Sequence, residues 1–275
     1  MEKEYSTAPL PFVGQKRMFV KEYKKVLATI ENANIFVDLF GGSGLLSHVT
    51  KRQRPDATVV YNDYDNYRRR LANVERTNLV LTKLRELLSS VPRLKLVPKP
   101  IKEEVLALLE KEERDTGFVD YITLSTSLLF SMKYATSLDE LRKHTMYNCI
   151  RRNNYEVSGY LDGLIVESCD YRELFEKYRH RENVVFLVDP PYLSTDVGTY
   201  NMYWKLSDYL DVLKVLANNR YVYFTSNKSS IIEFCDWLGK NKELGDLFSG
   251  ATKKEFKASM NYNSHYTDIM LYNVA

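Results

Sequence analysis

Five apolar residues running into an acid and two prolines constrain this chain more than any other stretch. Val184-Val185-Phe186-Leu187-Val188 leads directly into Asp189-Pro190-Pro191-Tyr192. The run is short, uncharged and rich in valine, the pattern of a strand buried on both faces of a parallel sheet. Neither proline has an N–H to offer a neighbouring strand, so the sheet ends at Asp189. Asp189 and Tyr192 then project beyond the carboxyl edge, where open α/β sheets bind ligands. A carboxylate, a rigid backbone with unpaired carbonyls and an aromatic ring form a receptor for a planar ring bearing an amino group. The competing reading is a structural turn whose aspartate is satisfied locally.

A second strand is predicted at Ile35–Leu39, followed by the loop Phe40-Gly41-Gly42-Ser43-Gly44 and a helix from Leu45. Glycines allow close backbone approach to a ligand, and the helix start presents free N–H groups. Two ligand classes fit. Gly42-Ser43-Gly44 with an acid at Asp63 partly matches a dinucleotide fingerprint, but Ser47 stands where a third glycine-like position is expected. Asp38, an acid beside the loop, suits a cation better than a pyrophosphate. S-adenosylmethionine carries such groups, an ammonium and a sulfonium. Thr58–Asn62 is the next predicted strand, and Asp63 at its end either reaches ribose hydroxyls or caps the following helix. Leu164–Cys169 is another, ending in Asp170 and Tyr171. That acid and ring can bond an adenine amino group and pack on its face, or the acid can cap a helix over Tyr171–Tyr178. Upstream, Pro9–Arg17 reads as a loop entering a helix over Gln15–Glu31. Lys16 and Arg17 thus fall at a helix start, where cations oppose the dipole. They are either solvated or positioned for a carboxylate or phosphate.

The βα alternation stops between residues 67 and 162. Apolar spacing predicts helices over Tyr67–Leu88, Ile101–Glu112, Tyr121–Tyr134 and Ser137–Ile150, the last opened by a Ser137/Glu140 capping box. The chain therefore divides into an α/β catalytic domain, 1–66 and 163–275, and an inserted helical module, 67–162. That module ends in Arg151-Arg152-Asn153-Asn154-Tyr155. Arg and Asn read guanine and adenine edges, and Arg also neutralises phosphate, so this is a DNA-contact loop or else a solvated helix end. With 39 basic and 36 acidic residues the net charge is only +3, so any nucleic-acid surface must be local. After Tyr192 comes a polar loop containing Tyr200, placed to close over a substrate. A helix over Trp204–Asn218, a strand at Tyr221–Ser226, a helix from Asn227 to Leu238 and two terminal strands, from about Lys253 and at Asp268–Tyr272, complete the reading. Cys149, Cys169 and Cys235 are odd in number and far apart, so neither a disulfide framework nor a metal site is expected. No apolar run approaches membrane-spanning length.

Four stretches, in order, resemble the Dam-type (D12 class) DNA adenine-N6 methyltransferases. They are Pro11-Phe12-Val13-Gly14-Gln15-Lys16-Arg17, Asp38 to Gly44, Asp189-Pro190-Pro191-Tyr192, and Met260-Asn261-Tyr262-Asn263 with the Asp268-Ile269 strand. The resemblance implies a Rossmann-like α/β methyltransferase sheet of seven strands, the last antiparallel, with a mainly helical target-recognition domain inserted. It implies that Phe12, Gly14, Lys16, Asp38, Phe40, Gly41, Gly42, Ser43, Gly44, Asp63, Asp170 and Tyr171 hold S-adenosyl-L-methionine. Asp189 and the Pro190 carbonyl would grip the adenine amino group, and Tyr192 would stack on the flipped-out base. Arg151, Arg152, Asn153, Asn154, Tyr155 and Tyr200 are the expected DNA contacts. The expected partners are double-stranded DNA and, within a restriction-modification system, a cognate restriction enzyme. A cytoplasmic monomer or weak dimer of prokaryotic or phage origin is expected. Methylation of cytosine N4 or RNA, or an inactive DNA-binding relative, are the alternatives.

Overall fold

The computed structural model describes residues 3–130, 133–191, 205–227, 229–240, 248–261 and 264–274. Two compact units account for them. One comprises residues 4–7, 15–65 and 161 onward; the other comprises Lys3, residues 8–14 and 66–160.

The first unit carries the sheet. Its elements are α1 (Val20–Thr29), β1 (Ile35–Asp38), α2 (Leu45–Gln53) and β2 (Thr58–Asn62). In the other unit follow α3 (Tyr67–Ala72), α4 (Val74–Leu87), α5 (Lys99–Thr116), α6 (Tyr121–Leu128) and α7 (Leu138–Lys143). The sheet unit resumes with β3 (Ile165–Glu167), α8 (Tyr171–Tyr178), β4 (Val184–Val188), α9 (Leu206–Leu216), β5 (Tyr221–Ser226), α10 (Ser230–Lys240), β6 (Thr252–Asn261) and β7 (Ser264–Asn273). The strands lie in the order β3-β2-β1-β4-β5-β7-β6. β1 to β5 are mutually parallel, whereas β7 runs antiparallel to both β5 and β6. This is the expected Rossmann-like methyltransferase sheet.

Alternation along β4 explains its unbroken apolar sequence. Val184, Phe186 and Val188 enter one core with Leu174 and Phe175 of α8 and Val212 and Leu216 of α9. Val185 and Leu187 enter the opposite core with Tyr23 and Leu27 of α1 and Leu46 and Val49 of α2. A strand covered on both faces has no polar side to show. Each such side chain contributes roughly 1.5–3 kcal/mol by leaving water, and all five β4 residues are buried. The chain runs outward from β1 to β2 and β3, then returns to β4 on the other side of β1. The sheet therefore reverses its winding between β1 and β4, the place where such folds leave a crevice. Asp38 is paired in register with Leu187, so the chain leaves the sheet at Asp38 and at Asp189 on adjacent strands.

In the helical unit, Leu81, Leu84, Val105, Leu109, Leu124, Leu128 and Leu141 share one core. Three helix expectations need correction there. The stretch Tyr67–Leu88 is two helices, because Asn73 leaves helical geometry and its side-chain amide donates to the Arg69 carbonyl at 2.8 Å. Asparagine competes with the backbone in this way. The stretch Tyr121–Tyr134 stops at Leu128, whose carbonyl accepts from Tyr147 N–H, while the Ser127 carbonyl accepts from Cys149 N–H. Ser137–Ile150 is helical only over Leu138–Lys143. Its later part is extended, with Val97 N–H donating to Met146 O and Asn148 N–H to Lys95 O. Ser137 does cap Glu140 N–H, but the Glu140 carboxylate takes Thr136 N–H and hydroxyl instead of returning to Ser137. In the sheet unit, α1 begins at Val20 and not near Gln15, so Lys16 and Arg17 lie in a turn before it, closed by Phe19 N–H to Lys16 O. Among the described residues no helix is long and apolar enough to cross a membrane.

Candidate active site

Three charged side chains of the sheet unit meet where its winding reverses. Lys16 Nζ lies 2.6 Å from Asp189 Oδ2, and the lysine is buried. The carboxylate for which Lys16 was positioned is thus the one at the end of β4. Asp189 Oδ1 is sealed from solvent and has no hydrogen-bond partner among the described residues. Burial raises the Asp189 carboxyl above the usual carboxylate range, and the Lys16 charge and hydrogen bond pull it part of the way back.

Asp38, fully buried at the end of β1, is the third member. Ser47 Oγ donates to its Oδ2 at 2.7 Å, while Oδ1 has no hydrogen-bond partner among the described residues. Burial, with the like charge of Asp189, pushes this carboxyl up to about 7; the Ser47 hydroxyl, the Phe40 N–H and Lys16 oppose the rise. Two acids, each with one oxygen lacking a partner among the described residues, and one lysine whose charge acts on both, leave a place suited to a further cation. Ser47, which broke the dinucleotide fingerprint, is the residue that holds Asp38.

The glycine loop is shaped by the neighbouring strand. A Cβ on Gly41 would collide with the Tyr61 ring and the Asn62 carbonyl, so only glycine fits. Gly44, at φ 72°, turns the chain into α2. The Tyr61 hydroxyl lies 2.8 Å from Gly42 O and 2.9 Å from Asp63 Oδ1, joining the loop to the acid at the end of β2. Asp63 is buried. Ser43 is buried too, whereas Phe40 is partly exposed and rests on Tyr171, with ring centroids 4.7 Å apart. Asn62 fixes the exit from β3. Its amide bonds the Leu39 and Cys169 carbonyls and accepts Cys169 N–H. Next to it, Asp170 caps α8 through Arg172 N–H and is gripped by the Arg172 guanidinium at 2.8 and 2.9 Å. Those bonds hold its carboxyl below the usual range.

Not every expected site residue belongs to this cluster. Phe12 and Gly14 are part of the helical unit, where the Phe12 ring meets Tyr67 edge-on at 5.7 Å. Arg151, Arg152, Asn153, Asn154 and Tyr155 form a loop of that same unit. Tyr192, Tyr200, Tyr262 and Asn263 lie outside the described residues. Pro190 is buried directly behind Asp189. Sequence reasoning missed Ser47, Tyr61 and Asn62 as supports of the site. A polar side chain at the end of a buried strand, as at Asn62, is the signal that was available. A cavity of about 760 Å³ beside α10, lined by Asn227, Ser229 and Trp237 among others, includes none of the cluster.

The Asp38 carboxyl has a pH signature. Its value of about 7 in the folded protein exceeds the ordinary 3.8. Its contribution to stability is therefore full below about pH 4 and is lost as pH rises through 7. Asp38→Asn has no such loss. Its stability advantage over the natural chain should grow by on the order of 1 kcal/mol per pH unit between about pH 4 and 7, then level off. Urea unfolding of both proteins at pH 4, 5, 6, 7 and 8 checks this; an advantage independent of pH would contradict it.

Two comparisons bear on the chain as a whole. Residues 12–238 match the family of D12 class N6 adenine-specific DNA methyltransferases. A Haemophilus influenzae protein named "Putative methyltransferase" is 35% identical across 98% of this chain and 93% of its own length.

Proposed function

The chain belongs to the family of D12 class N6 adenine-specific DNA methyltransferases, and on that premise we propose that it transfers a methyl group from S-adenosylmethionine to the N6 amino group of an adenine flipped out of duplex DNA. The observation that carries this reading is Asp189. One of its oxygens is bound by Lys16, while the other is buried and lacks a partner among the described residues. A buried acceptor without a donor costs free energy in the absence of a ligand. It suits an amino group brought from outside.

Asp38 and the loop from Phe40 to Gly44 are the residues proposed to hold the cofactor. The orphaned Asp38 oxygen fits a cation, and the loop turns tightly into the start of α2. When bound, the cofactor supplies an electrophilic methyl group on a sulfonium. The amine is a poor nucleophile because its lone pair is delocalised into the purine ring. Hydrogen bonds accepted by Asp189 Oδ1 and the Pro190 carbonyl favour a pyramidal nitrogen and localise that pair. The amine must also lose a proton, and a carboxylate whose proton affinity is raised by burial is suited to hold it. Lys16 opposes the effect of burial on the Asp189 carboxyl and orients it beforehand. The target amine is paired inside a duplex, so the base has to leave the stack; Tyr192 is proposed to face it.

Lys16→Met removes the charge that lowers the Asp189 carboxyl. The acid limb of the transfer rate is expected to move to higher pH, with a loss at pH 7 of about a hundredfold, the low end for a positioned proton-transfer group. A pH–rate profile of the variant checks it, and an unmoved acid limb would sink the role given to Lys16.

Purified protein and methyl-labelled cofactor, incubated separately with unmethylated duplex DNA and with RNA and digested to nucleosides after reaction, test the proposal. Label in N6-methyl-2′-deoxyadenosine from the DNA is expected. Label confined to cytosine or to RNA would replace the substrate, and DNA binding without label would make the chain a binding protein.

A further inference from the structure

The loop after α7 is held at both ends by one helix face. Arg85 and Asn78 stand seven residues apart on α4, two turns along the same side. Arg85 Nε donates to the Arg151 carbonyl at 3.1 Å and its Nη2 to Asn154 Oδ1 at 3.0 Å. The Asn78 amide pairs with Tyr155 in both directions: Nδ2 to the carbonyl at 3.0 Å, and Oδ1 from the N–H at 2.8 Å. The Arg151 guanidinium lies 3.6 Å from the centroid of the Tyr155 ring. Arg151, Asn154 and Tyr155 are thus each engaged inside the unit, the exposed Asn154 through its Oδ1. Between them the chain bends, and Arg152 and Asn153 sit exposed at the tip. Neither makes a hydrogen bond or ion pair to any described residue.

Pinned backbone beneath two unspent polar side chains is what base reading requires. The loop is ordered before binding, so little entropy is lost when the tip docks. The two residue types are also selective. A guanidinium fits guanine O6 and N7 bidentately, and a carboxamide fits adenine N6 and N7. We infer that Arg152 and Asn153 are the specificity-determining pair of this loop, Arg152 reading a guanine and Asn153 an adenine in the major groove. Arg151, Asn154 and Tyr155, tied down by Arg85 and Asn78, are the positioning residues. The inference rests on the proposed methylation of duplex DNA.

The experiment expresses the natural chain and its variants in a host whose DNA lacks N6-methyladenine, then maps the modified sites by single-molecule sequencing. The natural chain should yield one sequence motif. Arg152→Ala and Asn153→Ala change exposed side chains and leave the fold intact. Each should relax a single position of the motif, guanine for the first and adenine for the second, by roughly ten- to a hundredfold in discrimination. Arg152→Lys keeps a phosphate contact but loses the bidentate fork, so it should relax the same position as Arg152→Ala. Arg85→Ala should loosen both positions together. An unchanged motif in Arg152→Lys or Asn153→Ala overturns the inference, and marks Arg152 as a phosphate contact at most. Absence of N6-methyladenine with the natural chain would instead overturn the proposed reaction itself, and this inference with it.

Discussion

Asp189→Ala is expected to reduce methyl transfer by at least about a thousandfold, within the range for loss of a positioned proton-transfer group, while S-adenosylmethionine still binds. The substitution removes both the acceptor facing the amine and the counter-ion of Lys16. Asp38 and its Ser47 support are untouched, and loss of the Asp189 charge relieves a like-charge repulsion on Asp38. Cofactor binding should therefore be largely kept. Single-turnover transfer and calorimetric cofactor binding on the same preparation separate the two effects. Near-normal turnover would remove Asp189 from the reaction. Lost cofactor binding along with turnover would move it into the cofactor site. Asp189→Asn guards against a folding failure, because it fills the same space beside Lys16 and keeps one acceptor.

Asp120→Ala is expected to destabilise the helical unit by about 3–5 kcal/mol, the cost of stranding a buried charge. Both Asp120 oxygens accept from Arg70 Nε at 3.0 Å, and both residues are buried. Asp120 also caps α6 by accepting Thr123 N–H, and it takes the Thr123 hydroxyl at 2.6 Å. The stranded guanidinium would keep only Thr123 Oγ1 and the Pro11 carbonyl. That last bond, with Tyr67 bonding both the N–H and the carbonyl of Leu10, fixes the segment before Phe12 to the helical unit. Urea unfolding followed by circular dichroism measures the loss. A change below about 1 kcal/mol would show that the pair is solvated and contributes little.

The parts of the fold legible in sequence were those set by local pattern. β4 declares itself because its two buried faces forbid polar residues and two prolines end it. The loop from Phe40 to Gly44 declares itself because glycine has few substitutes where a strand must turn sharply into a helix. What stayed hidden was set by distant partners. Lys16 and Asp189 are separated by most of the chain, so their ion pair exists only once α1 and β4 share the sheet unit. Ser47 looked like a flaw in a phosphate-binding pattern until the buried Asp38 showed what it bonds. The stretch Ser137–Ile150 has helical spacing throughout, yet Met146 and Asn148 exchange backbone hydrogen bonds with residues 94 to 97, and Tyr147 N–H donates to Leu128 O. Tertiary pairing overrode propensity there. Asn73 follows the other rule, a local side-chain bond breaking a helix that periodicity alone would continue.

The most direct measurement is the N6-methyladenine content of DNA from a host lacking the modification, after expression of the natural chain and, separately, of Asp189→Ala. Nucleosides quantified by mass spectrometry should show N6-methyl-2′-deoxyadenosine with the natural chain and none above background with the variant at equal protein level. No N6-methyl-2′-deoxyadenosine from the natural chain, or equal amounts from both, would contradict an adenine methyltransferase centred on Asp189.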